Sequence, residues 1–343
     1  MKVEKIKELL RASSEYRFIK ENQSLGKNTI LLAIGGSHAY GMDTENSDVD
    51  IRGIALNKKE EILLSKDYEQ VVDVNTDTTI YSFNKMIGLL TENNPNTIEI
   101  LGCKPEHYLY VSDIGKELLD SRKMFLSKLC IPKFMGYANG QIRRMENKSS
   151  RLVSKEEQEK NILKSIDNAK YEFKSRYFEH KEDEIDLYVD KSSSESLDSE
   201  VFMDITLRHY PLRDWVNMWN DMKSIVRSYD KLGKRNEKAI THDKLGKHMA
   251  HLIRLYIMGV DILEKEEIIT YREDEHDLLM SIRNGEYLDE NRQPKSEFYD
   301  ILNEYEKRFE YAKENTSLPD KPDIKKITEF RLYVNERIVR GEI

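Results

Sequence analysis

Residues Leu31–Gly53 read LLAIGGSHAYGMDTENSDVDIRG. An apolar run ends in Gly35-Gly36-Ser37, and two carboxylates, Asp48 and Asp50, follow with one residue between them. "NTILLAI", Asn28 to Ile34, is short, apolar and closed by glycines, which predicts a buried strand. "SDVDIRGIAL", Ser47 to Leu56, predicts a second. In a strand, side chains at i and i+2 point the same way, so Asp48 and Asp50 share a face with Val49 and Ile51 on the other. Two carboxylates held that close repel unless a cation lies between them or one takes a proton. Hard oxygen ligands suit Mg²⁺, with Mn²⁺ as the substitute, and Mg²⁺ usually completes its shell with water and substrate phosphates. A pair of such ions can activate an attacking oxygen and neutralise a leaving pyrophosphate. The glycines then have a use: a turn without side chains lets backbone N–H groups approach phosphate oxygens, with the Ser37 hydroxyl as a further donor. A helix starting near Ser37 would aim its positive end the same way.

Three rival motifs do not match. The stretch lacks the Gly-Lys-Ser/Thr of a P-loop and the Gly-x-Gly-x-x-Gly of a dinucleotide site. From Asp43 to Asp50 the calcium-loop pattern fails, because its sixth position is not glycine. The metal-binding Asp-x-Asp of a glycosyltransferase stays open.

Outward from this stretch, "KVEKIKELLRASSEYRFI" has Val3, Ile6, Leu9 and Leu10 at helical spacing. "YEQVVDVNTDTTIYSF", Tyr68 to Phe83, is rich in β-branched residues and predicts one strand, or two with a turn near Asn75. "NKMIGLLTENNPNTIEILG" predicts a helix broken before Pro95. Strands thus concentrate before about residue 112, and the pattern beyond is helical: Ile114 to Cys130, Ile131 to Met145, Lys164 to Phe178, and two late segments built on Phe298, Ile301, Leu302, Tyr305 and Phe309 and on Ile327, Phe330, Val334 and Ile338. The acidic, serine-rich stretch 181–200 predicts a disordered surface excursion.

The 343 residues allow two domains, and 38% apolar with 34% charged residues is a globular composition. The chain contains no apolar run of the roughly 18 residues needed to cross a bilayer. The charged N-terminus lacks a signal-peptide core. A cytoplasmic protein that does not enter membranes is the expectation. Two cysteines, Cys103 and Cys130, offer no disulfide framework and no metal clip. A net charge of −8 argues against sequence-blind binding to nucleic acid, though not against a local basic groove.

"THDKLGKHMAHLIRLYIMG", Thr241 to Gly259, predicts a helix with Thr241 or Asp243 near its cap. Lys244, Lys247, His248, His251 and Arg254 fall on one side, and Leu245, Met249, Leu252, Tyr256 and Val260 on the other. Such a cationic stripe suits a triphosphate or a nucleic-acid backbone. His248 and His251 lack a third ligand nearby for zinc.

Gly36-Ser37-x-Ala39-Tyr40-Gly41 followed by Ser47-Asp48-x-Asp50-x-Arg52-Gly53 resembles the nucleotidyltransferases of the DNA polymerase beta superfamily, in particular a bacterial and phage branch associated with RNA repair. Lys247-His248-x-x-His251-x-x-Arg254 is similar to a helix that follows the catalytic domain in that branch. Arg283-Asn284-Gly285-Glu286 resembles a recurring Arg-x-Gly-Glu, here read as a turn first and an accessory site second. "PNTIEIL", Pro95 to Leu101, also matches and is read as packing. The resemblance implies a third carboxylate that completes the metal site and acts as general base. Asp77 is favoured over Asp73, because Tyr81 and Lys85 follow it as in the branch, with Phe83 in place of leucine.

The expectation is therefore an α+β protein. Residues 1–120 would form a polymerase-beta-like catalytic domain with a mixed sheet, and residues 121–343 a mainly helical domain that closes the nucleotide site. By the resemblance, Asp48, Asp50 and Asp77 would hold Mg²⁺. Gly36, Ser37, Tyr40, Ser47, Arg52, Lys247, His251 and Arg254 would bind a nucleoside triphosphate. Arg52 could instead simply neutralise the carboxylates, and His251 could be a packed histidine. The acceptor would be an RNA end, for which Lys148, Arg151, Lys155, Lys160 and Lys164 could line a groove. Transfer to a protein hydroxyl and a nucleotide-binding regulator without turnover are the alternatives.

Overall fold

The computed structural model describes residues 3–45, 47–66, 68–149, 184–191, 199–216, 218–219, 223 and 245–343. By contact, the chain separates into two compact units. One joins residues 1–142 with 247–287 and 296–343, and the other comprises 143–246 and 288–295.

The first unit is built on a five-stranded mixed sheet. Helix α1 (Val3–Ala12) precedes β1 (Thr29–Ile34), and a short helix α2 (Gly36–Tyr40) follows it directly. Then come β2 (Ile51–Ala55), β3 (Gln70–Asp73), β4 (Thr78–Ser82) and, after helix α3 (Phe83–Thr91), β5 (Tyr108–Val111). The spatial order is β3-β4-β2-β1-β5. β2 and β4 run parallel, with Ile51 opposite Thr78 and Ala55 opposite Ser82, while the other pairings are antiparallel. β1 is buried along its whole length, as its uninterrupted apolar sequence requires.

One core cluster joins Ile6 of α1, Tyr16, Ile19 and Leu25 to Leu32, Ile34, Ile51, Ala55 and Ile80 of the sheet. Burying each large aliphatic side chain of this kind contributes about 1.5–3 kcal/mol before entropy is counted. Ser82 caps α3 by accepting the Lys85 N–H at 3.3 Å, so β4 hands over to the helix without a loop. Asn94 caps the turn at Pro95–Ile98 in the same way, which is why the apolar pattern breaks before Pro95.

Helices α4 (Asp113–Asp120), α5 (Cys130–Ser149), α6 (Leu245–Lys265), α7 (His276–Arg283), α8 (Ser296–Asn315) and α9 (Ile324–Arg340) complete the order. α9 returns to the sheet side of the unit. Phe330 meets Phe83 edge-on at 5.9 Å, and Arg331 and Asn335 donate to the Asn84 side-chain oxygen at 2.8 and 3.0 Å.

The α+β class and the mixed sheet agree with the sequence. Two readings are corrected and one open choice is decided. β2 starts at Ile51, so Asp48 and Asp50 precede the strand instead of lying within it. Of the one strand or two expected over Tyr68–Phe83, the structure has two with the turn near Asn75, because Asp73 accepts the Thr76 N–H at 2.9 Å and its hydroxyl at 2.8 Å. In the second unit, part of the acidic stretch forms a hairpin, β6 (Glu184–Lys191) against β7 (Ser199–Thr206). Its apolar residues alternate, Ile185, Leu187 and Val189 on one strand and Val201, Met203 and Ile205 on the other, a period-2 signal that the charge excess hides. The serines of 192–198, the helix predicted at Lys164–Phe178, the cations Arg151, Lys155, Lys160 and Lys164, and the cap at Thr241 or Asp243 with Lys244 lie outside the described residues. Among the described residues, no helix is long and apolar enough to cross a membrane.

Candidate active site

The parallel register builds the site. Ile51 stands opposite Thr78, so the residues just before them, Asp50 and Asp77, are neighbours on adjacent strands, and the Ile51 N–H reaches the Asp77 carbonyl at 3.3 Å. The Asp77 charge acts on the Asp50 carboxyl group. Asp77 sits at φ +47°, in the left-handed region, at the end of the β3–β4 turn, and its side chain is 62% exposed. Asp73, the other candidate, spends its carboxylate on Thr76.

Gly36 lies against Asp50. It has φ +55°, and a Cβ placed on it would overlap the Asp50 carboxylate, so only glycine lets Asp50 lie across the α2 turn. Gly35 donates its N–H to the Asp50 carbonyl at 2.8 Å, locking the turn to the start of β2. Ser37 is half-buried at the first turn of α2, which starts at Gly36, one residue before the predicted position.

Arg52 acts as a neutralising partner. Its guanidinium lies 3.1 Å from the Asp50 carboxylate and 3.7 Å from that of Asp77, and it donates to the Asp77 carbonyl at 2.6 Å. Asp50 is nevertheless pushed up to about 6, chiefly by burial and then by the Asp77 charge, against the pull of Arg52 and Lys247. The pair is therefore held at a spacing where a single guanidinium does not satisfy both charges.

α6 contributes its first turns. Lys247 is exposed, and its charge favours the ionised form of Asp50. His248 Nδ1 lies 3.1 Å from the Gln141 side-chain oxygen. His251 is half-buried, with Nδ1 3.4 Å from Arg254. Arg254 departs from the predicted cationic face: it is 2% exposed, lies 3.5 Å from the Glu99 carboxylate and stacks at 3.4 Å on the Tyr40 ring. Tyr40 in turn donates to Glu99 at 2.5 Å. Arg254 and Tyr40, expected at the nucleotide, thus form a buried triad with Glu99, whose carboxyl is raised by burial against the opposing effect of Arg254. Sequence reading missed Glu99. Its signal was an acid between Ile98 and Ile100, where packing alone calls for an apolar residue.

The loop Met42–Asp50 is tied down from one more direction. Ser47 accepts from the Thr44 N–H at 2.9 Å, forming a turn, and accepts from Arg283 at 3.3 Å. The segment leading to α7 lies against the same region: Arg272 N–H donates to the Tyr40 carbonyl at 3.1 Å, and the Tyr271 ring packs on Gly41. Asp48 is exposed on this loop. Among the described residues, no three carboxylate, histidine or cysteine groups gather into a metal cluster. The arrangement that is present, two hard carboxylates in mutual repulsion beside a side-chain-free turn, matches Mg²⁺, which takes one or two protein carboxylates and leaves its remaining positions to water and phosphate.

The family model RlaP, RNA repair pathway DNA polymerase beta family, matches residues 1–333. The chain belongs to this family. The family supports a nucleotidyltransferase in general. A relative, "Uncharacterized 38.9 kDa protein in nrdC-mobD intergenic region" of Enterobacteria phage T4, is 27% identical over 139 residues, which is 37% of this chain and 41% of the phage protein. The chain therefore spans less than half the length of that relative. No solved structure matches the chain.

Proposed function

We propose that this RlaP-family protein transfers a nucleoside monophosphate from a nucleoside triphosphate to the hydroxyl of an RNA end and releases pyrophosphate. The observation that carries the reading is the β2–β4 register, which sets Asp50 and Asp77 side by side, with Asp50 against Gly36.

Asp48, Asp50 and Asp77 would hold the divalent cation, Mg²⁺ or Mn²⁺. When bound, that ion supplies positive charge to the triphosphate oxygens. The N–H groups at the start of α2 and the Ser37 hydroxyl would bind the phosphates of the leaving group. Asp77, the more exposed carboxylate, takes the proton from the acceptor hydroxyl. The acceptor oxygen then forms its bond to the α-phosphorus as the bond from that phosphorus to the bridging oxygen breaks, and the electron pair leaves on pyrophosphate. Lys247 adds charge complementary to the developing negative phosphoryl oxygens. Positioning and electrostatics supply most of the acceleration in such reactions. Arg254 would brace this site through Glu99 and Tyr40, with His251 against Arg254.

The test is incorporation of α-labelled nucleoside triphosphate into RNA and into protein acceptors, by wild type and Asp50→Asn. Label on RNA that Asp50→Asn loses supports the proposal. Label only on protein moves the acceptor to a polypeptide hydroxyl, and nucleotide binding with no transfer to any acceptor makes the protein a sensor. Turnover of UDP-sugars would overturn nucleotidyl transfer.

A further inference from the structure

We infer that Arg283 is a binding residue for the outer phosphates of the nucleoside triphosphate, an inference that rests on the proposed nucleotidyl transfer. The neighbouring arginines show why. Arg52 is paired with Asp50, Arg254 with Glu99 and Arg272 with Asp261. Arg283 differs. Its guanidinium is half-buried, and its only polar contact among the described residues is the neutral hydroxyl of Ser47 at 3.3 Å. The nearest carboxylate acting on it is Asp43, which lies beyond ion-pair distance and instead faces His38 at 3.5 Å. Taking a guanidinium partly out of water without a counter-charge costs free energy. That cost is recovered when an anion arrives, and a guanidinium presents a planar fork that suits phosphate oxygens.

The location fits such an anion. Arg283 ends α7, with Asn284 as its cap and Gly285 at φ +88° turning the chain away. It reaches the middle of the Met42–Asp50 loop, which joins the turn at Gly36-Ser37 to the carboxylates. Ser47 immediately precedes Asp48, so a group seated on Ser47 borders the cation site. The turn that ends α7 thereby sets Arg283 toward the triphosphate. A tripolyphosphate shares these outer phosphates and cannot serve as a nucleotidyl donor.

Tripolyphosphate binding in the presence of Mg²⁺, measured by calorimetry, tests this in wild type, Arg283→Gln, Arg283→Lys and Thr44→Val. Thr44→Val removes the Thr44 hydroxyl, which lies 3.1 Å from that of Ser47, and leaves the guanidinium in place. Arg283→Gln should weaken tripolyphosphate binding by about tenfold or more, the loss of one charge-assisted contact. It should raise KM for the nucleotide much more than it lowers kcat, and Arg283→Lys should fall between. Thr44→Val should retain tripolyphosphate binding. Unchanged binding by Arg283→Gln overturns the inference, as does an equal loss in Thr44→Val, which would show that Arg283 acts only through the loop. Should Arg283→Gln fail to fold, Arg283→Lys decides: wild-type affinity in that variant overturns the inference. Wild type that transfers label while Arg283→Gln binds normally defeats this inference alone. Wild type that binds tripolyphosphate through Arg283 but labels no acceptor defeats the transfer reading alone.

Discussion

At the scale of single residues, the centre of the molecule is one carboxylate that folding makes uncomfortable. Asp50 has a folded pKa of about 6 against an ordinary carboxylate value of 3.8. The folded state therefore binds the proton more tightly than the unfolded chain. The native protein carries no penalty at this residue below about pH 4, gains one as pH rises from about 4 to 6, and keeps it above. Asp50→Asn should remove this penalty. Its stability should exceed that of wild type by about 1–2 kcal/mol at pH 8, with the difference vanishing near pH 4, while nucleotidyl transfer is lost. Denaturant melts at the two pH values check this, and a difference independent of pH would refute it. Gly36→Ala is the steric counterpart. Its Cβ would take the space of the Asp50 carboxylate and would hold an L-residue at φ +55°. Transfer should drop by about a hundredfold or more, because misplacing a catalytic group by an ångström costs that much. Circular dichroism should remain that of wild type.

At the scale of elements, α6 is held to the rest of its unit by a buried charge. Arg254, Glu99 and Tyr40 bring together a helix, the turn after Pro95 and the end of α2. Removing one charge leaves the other buried and unpaired, so Arg254→Met should cost about 3–5 kcal/mol. Adding Glu99→Gln should recover a substantial part of that loss, and equilibrium unfolding of the two single variants and the double variant measures it. Additive losses would show that the pair is not coupled. This triad also marks where sequence reading stops. Helical period puts Lys247, His248, His251 and Arg254 on one side of the helix, yet Arg254 is buried against Glu99 and Tyr40. Period alone does not say which part of that face another element covers, and Glu99 covers Arg254. The same limit applies at β2. Alternation puts Val49 and Ile51 on the face opposite Asp48 and Asp50, but a strand's first hydrogen bond depends on its partner, and Asp50 stands just before the strand instead of within it. Asp77 was legible only through family likeness. Its adjacency to Asp50 comes from parallel pairing, a contact between distant segments with no local signature.

At the scale of the whole molecule, the sheet's unit is assembled from three separate stretches of chain, with residues 143–246 and 288–295 forming the other. The acidic composition concealed this arrangement and the β6–β7 hairpin alike, since charge counts carry no information about pairing. Residues 1–142 hold every strand of the main sheet yet lack α6 and α9. Phe83 would lose Phe330, Asn84 would lose Arg331 and Asn335, and Glu99 would lose Arg254. A protein ending at residue 142 should therefore lack a cooperative thermal transition, while the full chain unfolds with one for this unit. A sharp transition in the shortened chain would show that the sheet is self-sufficient.

The triad of Tyr40, Glu99 and Arg254 also bears on how the protein is made. More than two hundred residues separate Tyr40 from Arg254 along the chain. During synthesis at roughly 5–20 residues per second, the glycine turn and its carboxylates leave the ribosome many seconds before the helix that neutralises Glu99. Through that interval a nascent chain exposes a half-built pocket, and a cell that needs the finished protein quickly gains from anything that shields the first half until translation ends.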